Sequence, residues 1–184
     1  MKINDLIIKY QNDEDIISFC NALQENEKIN LINLSGSLLA FVISAVLHNV
    51  NKHQLIILEE KEKAAYLFND LEYVSDKNIL FFPESHRRSY QKEEIDNANV
   101  LCRAKVLNKL NKAKNPLVVV TYPEAIFEKV VTRKELSKST YSISLAQNKS
   151  ILDFNNELEK QNFSRVDFVT EPGEYAIRGG IVDV

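Results

Sequence analysis

Leu31-Ile32-Asn33-Leu34-Ser35-Gly36-Ser37-Leu38-Leu39-Ala40 is the stretch on which the fold class turns. An apolar run meets three small residues and passes into a long apolar segment, which is the order strand, tight turn, buried helix. The spacing predicts a strand over residues 29–34 and a helix over residues 38–49. In that helix Phe41, Val42, Ala45 and Val46 share an inward face, widened by Leu38, Leu39 and Leu47.

The same grammar recurs on the C-terminal side. Short apolar runs at 54–58, 79–82 and 117–121 alternate with helical patterns at 61–71 and 95–110, and Pro123 begins another helix; a further helix, 13–24, precedes the first strand. Strands alternating with helices imply a parallel sheet with crossover helices, an α/β domain. After about residue 131 the pattern changes. Residues 140–145 alternate like a half-exposed strand, and 151–161 read as a helix with Ile151, Phe154 and Leu158 at three- and four-residue spacing and a capping-box-like start at Ser150 and Asp153. The expected division is therefore 1–132, an α/β domain, and 133–184, the first part of a small α+β domain.

The final stretch reads as a hairpin, 165–170 and 175–178 about Glu171-Pro172-Gly173-Glu174, where Pro second and Gly third suit a type II turn. That pairing sets Asp167 opposite Arg178 and Phe168 opposite Ile177. Arg165, Asp167 and Arg178 then share one face, and Val166, Phe168, Tyr175 and Ile177 the other. Gly179-Gly180 marks a bulge or bend before an apolar strand, 181–184, and a chain stopping inside such a strand has the look of a truncated domain.

Composition narrows the function classes. With 184 residues, 45% hydrophobic and 27% charged, the chain has ordinary globular usage, which excludes disorder and disulfide frameworks. A net charge of -3 argues against nucleic-acid binding by the whole chain and leaves room for a local basic patch. Cys20 and Cys102 lack CxxC spacing and neighbouring His ligands, and read as structural thiols. His48 and His53 have no serine or carboxylate at a suggestive spacing, and Asp13-Glu14-Asp15 reads as acid at a helix start, not a metal site. Residues 1–5 do not read as a signal peptide, and 38–47 is too short to span a bilayer, so the expected location is the cytoplasm with no membrane contact.

The strand, loop and helix around Gly36 have the topology of a phosphate-binding P-loop but not its chemistry. With Gly36 aligned to the central glycine, Asn33 replaces the first glycine, Leu39 the lysine and Ala40 the Ser/Thr that would hold the metal. One reading is residual anion binding at the helix N-terminus. The other makes Leu39 a core residue and Ser35 or Ser37 a simple cap; on this second reading the loop holds no cofactor and the chain is not itself an enzyme. The sequence also carries two basic groups. His86-Arg87-Arg88 with Tyr90 and Lys92 is read as a solvated loop or a phosphate contact. Lys105, Lys109, Lys112 and Lys114, late in a helix, are read as a solubilising stripe that also suits the helix dipole.

Residues 31–40, Phe81-Phe82-Pro83-Glu84, Val118-Val119-Val120-Thr121 and, most specifically, Thr170-Glu171-Pro172-Gly173-Glu174-Tyr175-Ala176-Ile177-Arg178-Gly179-Gly180-Ile181-Val182-Asp183 resemble the N-terminal region of the bacterial transcription-repair coupling factor family, Mfd. That region is in turn similar to the excision-repair protein UvrB. The resemblance implies a degenerate, P-loop-like helicase domain without nucleotide, followed by an inserted domain that docks the UvrA damage-recognition protein. Carried over, the docking residues are Arg165 and Arg178, with Glu171, Glu174 and Tyr175 around them. Arg178 stands equally to pair with Asp167 across the strands, and both roles are compatible. It further implies a downstream ATP- and Mg-dependent DNA translocase motor and an RNA polymerase-binding domain. In UvrB the counterpart of residues 85–94 is an aromatic-rich, DNA-clamping hairpin; this segment is short and poor in aromatics, so damage clamping is not expected. The alternatives are a P-loop ATPase that keeps nucleotide binding, and an accessory DNA-binding domain.

Overall fold

In the computed structural model, residues 3–25, 28–75, 78–89, 92–145 and 147–184 are described, without the side chains of 87–89 and 92–95. Helices α1 (Ile3–Gln11), α2 (Glu14–Gln24) and α3 (Leu38–Asn49) come first. They are followed by β1 (Gln54–Ile57), α4 (Lys61–Val74), β2 (Ile79–Phe81), the strands β3 (His86–Ser89) and β4 (Lys92–Ile95), α5 (Asn97–Lys112), β5 (Val118–Thr121) and α6 (Pro123–Phe127). The last part holds α7 (Arg133–Lys138), α8 (Ile151–Lys160), β6 (Ser164–Arg165), β7 (Glu174–Arg178) and β8 (Ile181–Asp183). The chain divides into two compact units, one of residues 1–84 with 102–128 and one of 85–101 with 129–184.

The first unit is built on a three-stranded parallel sheet of order β1-β5-β2, which makes this a mixed α/β protein. β5 is the central strand and all four of its residues are buried. A strand covered on both faces needs side chains that pack on both sides, and Val118-Val119-Val120 supplies them. Alternation sorts the core. Val118, Val120 and Ile79 face Ala40, Leu47, Ala64, Leu67 and Leu71 of α3 and α4, while Leu80 and Val119 face Val106 of α5. Leu55 and Ile57 point to that second face by their register with Val119 and Thr121, yet they are 61% and 53% exposed. Ile16 and Cys20 of α2 pack on Val42, Ala45 and Val46 of α3. Cys20 is thus a core thiol whose burial raises its pKa, whereas Cys102 is exposed. His53 accepts a hydrogen bond on Nδ1 from the Leu117 N–H at 3.1 Å, a structural tie between the starts of β1 and β5.

Residues 29–34 do not form the expected strand. They join no ladder, Ile32 is exposed, and Asn33 sits at φ 63°, a left-handed conformation incompatible with continued extension. An apolar run becomes a strand only where a sheet edge takes up its hydrogen bonds.

The second unit also departs from expectation. Residues 140–145 are irregular, not a strand. The capping box lies at Thr132, whose hydroxyl accepts from Glu135 N while Glu135 Oε2 accepts from Thr132 N, and Ser150 makes no side-chain cap. Glutamate reaches back across a helix turn; Asp153 is one methylene short. The turn at Pro172-Gly173 exists, with Gly173 at φ 94° and Glu174 N donating to Glu171 O at 3.3 Å, but it joins no hairpin. β6 runs parallel to β7, with Ser164 opposite Glu174 and Arg165 opposite Tyr175. The antiparallel partner of β7 is β8, reached through Gly179-Gly180. A two-residue hairpin loop favours the primed turns, which match the twist of the strands. Gly179 at φ 61° supplies the positive φ such a turn needs at its first position, whereas a type II turn would splay the strands.

Candidate functional site

Two places were singled out by sequence, one in each unit. At the loop around Gly36, Leu39 packs on the main core and Ala40 is fully buried within it. The positions where a phosphate loop would hold its lysine and hydroxyl are therefore occupied by packing. Ser37 makes no side-chain cap; instead Leu38 N donates to Ser35 O at 3.3 Å and Ala40 N to Ser37 O at 3.0 Å. Backbone carbonyls thus engage N–H groups that a phosphate would have to claim. Among the described residues no cluster of three His, Cys, Asp or Glu side chains could hold a metal ion.

In the second unit the register decides which side chains can act together. Paired residues of a parallel ladder point to the same side, so Arg165 lies on the face of Tyr175 and Ile177. Arg178 lies on the opposite face of β7, beside its partner Ile181. The expectation that the two arginines share a face is therefore wrong, because it rested on an antiparallel pairing that the chain does not make. Asp167 is not the partner of Arg178 either. The Arg178 guanidinium is paired with Asp183 of β8 and stacks on Phe168, its Cζ 5.1 Å from the ring centre.

The other three candidates divide by burial. Tyr175 is fully buried, its hydroxyl donating to Asn155 Oδ1 at 2.9 Å and to Glu159 Oε1 at 3.3 Å on α8, and burial raises its pKa. It organises the sheet and cannot touch a partner directly. Glu174 Oε2 accepts from Thr170 N at 2.8 Å, Glu171 N at 3.0 Å and Thr170 Oγ1 at 3.1 Å. These bonds, the Thr170 N–H first, hold its pKa below the ordinary glutamate value and lock the turn. Glu171 Oε2 accepts from Asn97 Nδ2 at 3.1 Å and stays exposed.

What sequence reasoning missed here is the apolar setting of Arg178. Phe168 is 70% and Ile181 64% exposed, so Phe168, Arg178 and Ile181 form an outward patch of two hydrophobic side chains around a cation. The sequence pattern sets Phe168 opposite Ile177; the irregular course of 166–173 instead brings it against Arg178. Of the basic cluster after Ser85, His86 to Ser89 and Lys92 to Ile95 form an antiparallel hairpin instead of a loop. Tyr90 lies outside the described residues, as do the side chains of Arg87, Arg88 and Lys92.

No family model matches the chain. Curated relatives do. The transcription-repair-coupling factor of Bacillus subtilis is 29% identical over 180 residues, covering 95% of this chain and 15% of the relative. That of Borreliella burgdorferi is 24% identical over 178 residues, again 95% and 15%. The UvrABC system protein B of Mycoplasma mobile is 24% identical over 177 residues, 88% of this chain and 27% of the relative. The chain thus spans less than a third of each of these relatives. Over most of its length it is homologous, at modest identity, to the transcription-repair-coupling factors and to UvrB, as a UvrB-like N-terminal region would be.

Proposed function

We propose that this chain is a docking module of nucleotide excision repair, the UvrB-like part of a transcription-repair-coupling factor, and that its second unit recruits UvrA. Homology to two groups of repair proteins across nearly the whole chain is the observation that carries this reading, and it supports a role in DNA repair. The Phe168-Arg178-Ile181 patch fits a protein partner, since contacts that dominate interfaces centre on aromatic and arginine side chains. Arg165 offers a second, separate contact on the other face of β7. The whole protein would couple this module to an ATP- and Mg-dependent DNA translocase motor and to RNA polymerase, all outside the present residues. Packing of Leu39 and Ala40 favours docking over a retained ATPase in this chain.

The test is capture of purified UvrA on the immobilised chain. Arg178→Ala is expected to weaken capture at least tenfold, and Arg165→Ala tells whether the partner also covers the opposite face. Unchanged capture by both variants removes the site assignment; tight binding of MgATP in calorimetry would restore the enzyme reading.

A further inference from the structure

The starts of the three parallel strands meet the last two turns of α5. Residues 51–52 before β1, Asn78 before β2 and residues 113–117 before β5 enclose an open cleft of about 880 Å³ together with Leu47 and Val50. The end of α3 borders this cleft, so the start of that helix, which follows Gly36, lies a helix length away, about 18 Å for 12 residues. The cleft is lined by residues of the first unit and does not include the loop around Gly36.

Its lining is chemically one-sided. Lys52, Lys105, Lys109, Lys112 and Lys114 line it with several asparagines, and among the described residues it has no acidic and no aromatic side chain. Lys109 Nζ donates to Asn78 Oδ1 at 3.2 Å and Lys52 Nζ to Gln24 O at 3.4 Å, and among the described residues none of the five is ion-paired. The chain has 26 acidic and 23 basic residues, so a concave wall of five lysines is a local reversal of its overall sign. Like charges gathered in one cleft repel, and an anion with several charges relieves all of them together.

The lining also selects among anions. Lys105, Lys109 and Lys112 follow one another at i, i+4 and i+7 on a single helix face, with axial steps of about 6 and 4.5 Å. A row of point charges on flexible stems suits a row of phosphates better than one compact ion. With no aromatic platform, the cleft has nothing on which unstacked bases could rest, so single strands gain nothing over a duplex. Lysine has no planar fork for base edges, which makes the contact independent of sequence. We propose that this cleft binds the phosphodiester backbone of duplex DNA.

The experiment is fluorescence anisotropy of a labelled 20-base-pair duplex of arbitrary sequence with the 184-residue chain, titrated across sodium chloride. Five neutralised phosphates predict a slope of log affinity against log salt of about -4.5, and Lys105→Gln with Lys109→Gln and Lys112→Gln should bring it to about -1.8. The same triple should weaken binding at least tenfold at low salt. All three lysines are exposed, so the variant is expected to keep its melting transition. A charge-matched triple, Lys129→Gln with Lys134→Gln and Lys138→Gln on exposed positions of the second unit, should leave the affinity within twofold. Four results overturn the proposal: no salt-dependent affinity for the duplex, an equal loss in the charge-matched triple, tighter binding of a single strand, or competition by inorganic tripolyphosphate at an equal phosphate concentration.

Discussion

Replacing Arg103 with alanine removes a buried cation that ties three segments of the first unit together. Arg103 is 6% exposed; its Nη1 donates to Pro83 O at 2.7 Å and Ala125 O at 3.0 Å, its Nη2 to Glu128 O at 3.4 Å, and its guanidinium stands 4.2 Å from the centre of the Phe82 ring. Glu128 Oε2 lies 3.5 Å from Nη1. Desolvation lowers the Arg103 pKa, and Glu128 is the charge that opposes that shift. Two short hydrogen bonds from a charged donor contribute about 3–6 kcal/mol gross, and the aromatic contact adds about 1 kcal/mol. Burial of the charge offsets part of this, but alanine leaves the buried carbonyls of Pro83 and Ala125 without their donor, and breaking one side of a buried polar group costs about 3–5 kcal/mol. The expected loss is about 4 kcal/mol. With a urea dependence of about 2 kcal/mol per molar, the unfolding midpoint falls by about 2 M at unchanged slope. Arg103→Lys keeps the charge but cannot reach separated carbonyls with a fork, and should fall between the two. A midpoint shift below about 0.5 M for alanine, or wild-type behaviour for lysine, would refute the reasoning.

Two further predictions concern the second unit. The Glu174 carboxyl has a depressed pKa in the fold, so its bonds to Thr170 and Glu171 support the turn above the ordinary glutamate range and are lost as pH falls through the folded value. The amide resonances of Thr170 and Glu171 should titrate with a midpoint below that of free glutamate; a midpoint at or above it would count against the turn lock. Tyr175→Phe deletes the hydroxyl bonds to α8 and should cost about 1 kcal/mol, lowering the melting temperature of this unit by about 5 °C in calorimetry. No change in melting would mean that the hydroxyl is not holding the helix.

Around the candidate site the turn is legible in the sequence and the strand pairing is not. Thr170 to Asp183 was recognised as the informative motif, and its Pro172-Gly173 turn is present. That turn does not dictate the pairing of the strands around it. A type II turn reverses the chain without guaranteeing a hairpin, and the Gly179-Gly180 pair was the better hairpin signal. Thr132 with Glu135 was likewise a complete capping box in plain sight, and Ile3, Leu6, Ile7 and Tyr10 carry the helical spacing of α1.

Helices α2, α3, α4, α5 and α8 and strands β1, β2 and β5 follow from the sequence by itself, because their periodicity and β-branched runs are local properties that any burying partner would satisfy. That Leu39 and Ala40 are neither a lysine nor a hydroxyl residue is equally a matter of sequence. Tertiary structure alone decided that residues 29–34 stay out of the sheet, that β6 runs parallel to β7, and that Arg165 and Arg178 face opposite ways. It also gathered lysines from separate segments around one cleft. The physical reason is common to all four. Strand direction, register and the meeting of distant loops depend on partners far along the chain, and a one-residue or one-strand change in pairing reverses every face.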